Sequence, residues 1–211
     1  MEATGSMYSV AVNNEGTVRA TGADTSGGRV RLTADGGTIE NSGTISAREA
    51  NGDGGSIEID AGTNSDGTAT VMNSGTLDAS GESAGNKGGR VEVTGDRVAL
   101  LDESLVDVSG DAGGGEAYVG GGYKGQNPDI QNAKRTHVGE DAGINASAGS
   151  NGDGGKVVVW SDEYTRFDGR IFARGGSRRR RRWFRRDFFK RRNPVRQQRH
   201  GCRRGTGGSG R

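Results

Sequence analysis

Apolar and polar residues alternate in short bursts along this chain. Val30 and Leu32 flank Arg31, Ile57 and Ile59 flank Glu58, and Val91 and Val93 flank Glu92. A period of two marks a strand with one buried face, and no segment carries the 3.6-residue period of an amphipathic helix. The bursts sit inside two recurring phrases. An Asn-x-Gly-Thr-aliphatic phrase occurs at Asn14 to Val18, Asn41 to Ile45 and Asn73 to Leu77, with a looser version at Gly143 to Ala146. A Gly-Gly-x-aliphatic-x-aliphatic phrase starts at Gly27, Gly54, Gly88 and Gly154, with a degenerate copy, GGEAYV, at Gly114. Successive starts lie some 26 to 40 residues apart, the range in which self-similarity marks a solenoid.

Two short strands per repeat, joined by Gly, Asn, Asp and Ser bends, predict an all-β chain coiled so that equivalent strands stack in parallel. One inward ladder is expected from Val18, Ile45, Leu77, Val106, Ile144 and Ile171, and another from Val30, Ile57, Val91, Val119 and Val157. Small residues two positions after the first ladder (Ala20, Ala47, Ala79, Ala146 and Ala173) fit where a coil narrows. The stretch from about 120 to 141 breaks the rhythm and is expected to leave the coil as an inserted loop. Its Tyr123, Gln126, Asn127, Lys134, Arg135 and His137 form the densest set of recognition-capable side chains, either a ligand-binding loop or an ordered spacer.

Composition narrows the class further. Of 211 residues 41 are Gly, and only 29% are hydrophobic and 5% aromatic, too little apolar material for a conventional layered core. A narrow core shared along a stack of coils needs less. The formal net charge of +2 conceals a split, because residues 1–177 hold 14 Lys/Arg against 26 Asp/Glu while the last 34 hold 15 against one. The chain therefore divides into a β-helix segment, 1–177, and an Arg-rich tail, 178–211, expected to be disordered. The one cysteine, Cys202, excludes a disulfide framework, no segment is long and apolar enough to span a membrane, and Met1 opens no signal-like sequence.

Several phrases carry a family resemblance: VNNEGTVRATG from Val12, GGTIENSGTISA from Gly36, VDVSGDAGGG from Val106, YKGQNPDIQNA from Tyr123 and NGDGGKVVVWSDEYTRFDGRIFARGG from Asn151. Over residues 7–177 the chain resembles large exoproteins of the filamentous haemagglutinin type, exported by two-partner secretion. The resemblance implies a right-handed parallel β-helix shaft, a secreted or cell-surface location, and an adhesive or structural role. It also implies an outer-membrane two-partner secretion transporter for a full-length parent, with surface glycans or proteins as ligands. The Asn-Pro-Asn-type motif of the family's N-terminal secretion domain is absent, and Asn127-Pro128-Asp129 does not replace it. Export competence is accordingly expected to reside in a longer parent.

After the Gly175-Gly176 pair the resemblance leads one to expect another glycine repeat rather than arginines. Reading CGN arginine codons one base late yields Gly, Asp, Ala or Val codons, and the run through Phe188 can then encode Gly-Asp-Gly-Gly-Phe-Val-Glu-Thr-Ser. A frameshift near Ser177 is one reading of the tail; a polycation with Trp183, Phe184, Phe188 and Phe189 interleaved, binding nucleic acid or heparin-like polyanions without specificity, is another.

Catalytic chemistry finds little support. The histidines, His137 and His200, lie in the inserted stretch and the tail, and Asp102/Glu103 and Asp162/Glu163 are sequence neighbours whose side chains point to opposite faces of a strand. Stacked Glu58 and Glu92 are expected to form an acidic stripe. A β-helix polysaccharide-cleaving enzyme, which needs carboxylates converging on one bond, is therefore the alternative and not the leading reading. The GDGG turns at Gly52 and Gly152 have the wrong spacing for calcium-binding nonapeptide rolls, and no glycine loop has the Lys-Ser/Thr ending of a phosphate loop. No catalytic, cofactor or metal site is expected.

Overall fold

The computed structural model describes residues 2–3, 10–21, 27–81 and 83–177, which form a parallel β-solenoid of about five turns. The Arg-rich run read above as a disordered or frameshifted tail lies outside the described residues. Three parallel sheets of six strands run the length of the body. The first sheet stacks Glu2–Ala3, Arg29–Ala34, Ser56–Asp60, Arg90–Thr94, Glu116–Val119 and Lys156–Val159. In the second lie Val10–Asn14, Thr38–Asn41, Thr70–Asn73, Arg97–Leu100, Arg135–Val138 and Tyr164–Phe167. The third holds Thr17–Thr21, Thr44–Arg48, Thr76–Asp78, Leu105–Asp107, Gly143–Asn145 and Arg170–Phe172.

Each complete coil thus has three strands, not two. The additional strand is the second-sheet one, and the Asn-x-Gly-Thr phrase is the corner that follows it. Asn41 ends one strand, Gly43 turns the chain, and Thr44 begins the next. The ladder from Val18 to Ile171 stacks as expected, rung on rung. Ala47, Ala79 and Ala146 are buried beside it, with Val108 taking the place of alanine in the intervening coil. The second expected ladder is corrected at one rung. Ala117 stacks between Val91 and Val157, while Val119 stacks between Val93 and Val159. Counting from the glycine pair, Gly114, fixes this register; the larger side chain of Val119 had masked it.

Glycine pairs are required because neighbouring coils approach too closely there for a side chain. A Cβ on Gly55, Gly89, Gly115 or Gly155 would lie 2.1, 2.0, 1.9 and 2.0 Å from the carbonyl oxygen of the equivalent glycine one coil earlier. Those same carbonyls accept the next backbone N–H, from Ser56, Arg90, Glu116 and Lys156, each at 2.9 Å. A second column, Gly16 to Gly43 to Gly75, repeats the arrangement at the Asn-x-Gly-Thr corner, with oxygen 2.0 Å from a Cβ on Gly43 or Gly75.

That corner also carries a buried asparagine ladder. Asn14 Nδ2 donates to Asn41 Oδ1 at 2.7 Å, Asn41 Nδ2 donates to Asn73 Oδ1, and each amide also reaches the carbonyl of the glycine two residues on. Asn41 and Asn73 are essentially inaccessible to water. Leu100, Val138 and Phe167 continue the column, so the amide ladder belongs to the first coils alone. The remaining interior is aliphatic. Ile39, Ile45, Ile57, Ile59, Leu77 and Leu100 are fully buried, and each such side chain stabilises by roughly 1.5 to 3 kcal/mol.

Truncating Asn41 leaves the Asn14 donor and the Asn73 acceptor without each other's bridge in a dry corner. Asn41→Ala is expected to destabilise the protein by about 2 to 4 kcal/mol, against a change within about 0.5 kcal/mol for exposed Asn13→Ala. Urea unfolding of both variants beside the parent checks the difference.

Candidate functional site

Segments of variable length leave the coil where the first sheet passes to the second. In one coil residues 61–69 bulge outward, in the next Gly95 and Asp96 make a tight turn, and in the following one residues 120–134 form the largest excursion. The excursion is closed at its neck by the Ala133 N–H donating to the Gly120 carbonyl at 2.6 Å. Inside it, Tyr123–Gly125 makes one 3-10 turn, Asn127 Oδ1 accepts the Asp129 N–H at 3.0 Å, and Asn132 Nδ2 donates to the Gly125 carbonyl.

The excursion lies against the outer face of the first sheet. Tyr118, Ile130 and Val158 form a small second core there, with Tyr123 and Trp160 packed on it. Arg90 sits 4.4 Å from the Tyr118 ring centre, and the Lys156 ammonium approaches at 5.1 Å. The same Tyr118 hydroxyl donates to Glu116 at 3.0 Å and accepts from Lys156 at 3.1 Å. Trp160 directs its Nε1–H to Asp162 Oδ1 at 3.0 Å.

Buried Asp96 ties three coils together at this corner. Its Oδ2 accepts the Asn64 N–H at 3.0 Å and the Ala69 N–H at 3.3 Å from the coil before, and its Oδ1 pairs with Lys134 Nζ at 3.1 Å from the coil after. Gln131 Nε2 adds a tether to the Gly62 carbonyl at 2.9 Å, 69 residues away in sequence. No pattern in the sequence marked Asp96, because its partners lie 27 to 38 positions off in either direction and belong to no repeated phrase.

The six residues singled out from the sequence are not brought to one place. Tyr123, Gln126 and Asn127 lie on the excursion, Tyr123 half-buried against the small core. Lys134 is at its foot, engaged with Asp96. Arg135 and His137 have returned to the second sheet, on the strand Arg135–Val138, so the segment that leaves the coil ends at 134 and not near 141. Alternation in Arg-Thr-His-Val, with Thr136 and Val138 buried, places these residues in the sheet.

Other expected features take structural roles. Glu58 and Glu92 do stack in register, but Arg31 lies 3.2 Å from Glu58, and Arg90 lies 2.8 Å from both Glu92 and Glu116. The result is a mixed-charge face in place of an acidic stripe. Asp162 holds Trp160 and Glu163 faces Arg135, so that pair of carboxylates diverges. In the first GDGG turn Asp53 accepts the Lys87 N–H at 2.8 Å and the amides of Asn86 and Asn51, tying its loop to the next coil. Among the described residues no three His, Cys, Asp or Glu side chains converge as metal ligands. A shallow open depression on the second sheet is lined by His137, Gly139, Glu140, Arg166, Phe167 and Asp168.

No family model matches the chain, and neither does any curated protein. Among solved structures it is similar to the HMW1 secretion domain from Haemophilus influenzae, with 31% identity and a TM-score of 0.60. The match covers 81% of this chain and 43% of that one, so the chain spans less than half the length of its structural relative. The solenoid is therefore of a kind found in a bacterial secretion domain.

The Lys87 N–H holds the Asp53 carboxyl below its ordinary value of 3.8, against a smaller opposing effect of desolvation and with help from Asn86 and Asn51. A carboxylate with a lowered folded-state pKa stabilises the fold above the unfolded value, and that contribution disappears as pH falls through the folded value. Asp53→Asn is expected to flatten the loss of stability below about pH 4, measured as the difference in urea midpoint between pH 5 and pH 3. An unchanged acid slope contradicts the assignment.

Proposed function

We propose that this chain is a shaft segment of a secreted, surface-exposed bacterial exoprotein, and that it serves adhesion. The observation that carries the reading is the likeness, at 31% identity, of this solenoid to a bacterial secretion domain. The phrases that resemble filamentous haemagglutinin-type exoproteins support it independently, with an outer-membrane two-partner secretion transporter as the partner of a full-length parent. A stack of coils with its apolar residues inside and polar loops outside is a rod, and a rod holds loops away from the surface that anchors it. Ligands of such a shaft are glycans or proteins of a host or neighbouring cell, met by loops on a rigid scaffold.

The test is made in the full-length parent, displayed by cells that carry its transporter. Removing residues 10–177 is expected to leave the protein exported but to reduce attachment of the cells to host-cell monolayers, with surface amounts matched by immunolabelling. Undiminished attachment at equal display contradicts the adhesive role. Equal export without the transporter contradicts the secretion route.

A further inference from the structure

The pentapeptide Asn-Gly-Asp-Gly-Gly occurs twice, at 51–55 and 151–155, and these copies hold the two Asn-Gly pairs of the chain. An Asn-Gly pair carries a reaction of its own. The glycine nitrogen has no side chain beside it and a backbone free enough to bring it onto the asparagine Cγ. Whether it gets there depends on how firmly hydrogen bonds hold the two residues, and in that respect the two copies differ.

At the first copy the reacting groups are all engaged. Asn51 Oδ1 accepts the Asp53 N–H at 2.9 Å, and Asn51 Nδ2 donates to Asp53 Oδ2 at 2.9 Å. The Gly52 N–H donates to the Glu49 carbonyl at 3.1 Å. Asn86 of the next coil lies over the loop, its Nδ2 donating to the Asn51 carbonyl at 2.9 Å and to Asp53 Oδ1 at 3.1 Å. At the second copy the main chain is held but the reacting groups are not. The Asn151 N–H donates to the Asp111 carbonyl at 3.0 Å, and the Gly152 carbonyl accepts the Gly176 N–H at 3.0 Å. Asn151 itself is exposed, and its Nδ2 meets only Ser150 Oγ, at 3.4 Å. Among the described residues Asn151 Oδ1 accepts no hydrogen bond and the Gly152 N–H donates none. Asp153 is exposed where Asp53 is half-buried.

We propose that Asn151 is a site of spontaneous deamidation in the folded protein, and that the fold protects the identical sequence at Asn51. The Gly152 nitrogen gives up its proton to a solvent base and attacks Asn151 Cγ; the Cγ–Nδ2 bond breaks and ammonia leaves, closing a cyclic imide. Water then opens the ring. Cleavage of the new bond to Cγ leaves an aspartate, whereas cleavage of the bond to the main-chain carbonyl carbon leaves an isoaspartate, with the main chain routed through the former side chain. Either product places a carboxylate beside Asp153 and near Asp111, which accepts the Ser150 N–H at 2.9 Å. Isoaspartate also lengthens the main chain by a methylene between two anchored points, the Asn151 N–H on Asp111 and the Gly152 carbonyl on Gly176. The last loop of the described solenoid is thus open to a slow, one-way change from neutral to anionic.

The full chain is incubated at mildly alkaline pH, once folded and once unfolded in guanidinium chloride. Samples taken over time are digested with trypsin, and fragment masses follow amide-to-acid conversion at each asparagine of the peptides Glu49–Lys87 and Thr136–Lys156. Isomerisation at the Asp-Gly pairs leaves the mass unchanged and does not interfere. In the folded chain Asn151 is expected to convert, and Asn51 to convert about tenfold or more slowly, because several hydrogen bonds must open first. In guanidinium chloride the two are expected to convert at like rates, since their local sequence is the same. Conversion of Asn51 equal to or ahead of that of Asn151 in the folded chain overturns the proposal. So does an Asn151 that stays intact when folded over a period in which it converts when unfolded, and so does an equal disparity between the two sites in the unfolded chain.

Discussion

Backbone carbonyls at the solenoid corners sit where a side chain of the next coil would have to be. Gly28, Gly55, Gly89 and Gly115 each offer their oxygen to an N–H of the coil that follows, and a single methyl group on Gly55, Gly89, Gly115 or Gly155 would collide with the oxygen of the glycine one coil before. Parallel register, the three sheets and the straight inward ladders all depend on this contact. It also accounts for a fold with so few hydrophobic residues. Coils packed this tightly need only one or two aliphatic side chains per strand to fill the interior, and the glycines that close the stack supply no bulk.

Freedom in chain length is confined to particular places by the same constraint. Loops before each glycine pair and at the passage from the first sheet to the second vary in length, yet the chain re-enters at fixed register each time. Where loops are long, polar side chains bind them to neighbouring coils. Asp96 gathers Asn64, Ala69 and Lys134, Asp53 gathers the loop of Lys87, and Asp111 accepts N–H groups from Gly85 and Ser150 on either side. An acidic body therefore has structural uses for its carboxylates, which act as acceptors for backbone N–H groups that lie outside the sheets.

Much of this was readable before the structure. The Asn-x-Gly-Thr and Gly-Gly phrases reported the two corners where coils touch, because a contact that admits only glycine leaves a conspicuous residue behind. The Val18 to Ile171 ladder follows directly from the first phrase. The second sheet was hidden because its strands, Thr-Ile-Glu-Asn, Arg-Val-Ala-Leu and Tyr-Thr-Arg-Phe among them, share only alternation, and their outward positions are free to vary. For that reason the linear pattern does not separate Arg135 and His137, on the strand Arg135–Val138, from the excursion before them. Distance from the glycine pair, and not side-chain size, sets the rung, so Ala117 and not Val119 stacks on Val91. Charge pairing between coils, as of Arg31 with Glu58 or the stacking of Arg97 on Arg135, requires the register itself and has no trace in a linear pattern.

A paired alanine substitution tests the dependence on close backbone approach most directly. Gly89 lies within the column, its added Cβ 2.0 Å from the Gly55 oxygen, whereas a Cβ on Gly16 meets nothing within 4 Å. In equilibrium urea unfolding, Gly89→Ala is predicted to lose about 3 kcal/mol or more, and Gly16→Ala to stay within about 0.5 kcal/mol of the parent. Equal midpoints for the two variants would contradict the claim that coil contact at the glycine column holds this fold together.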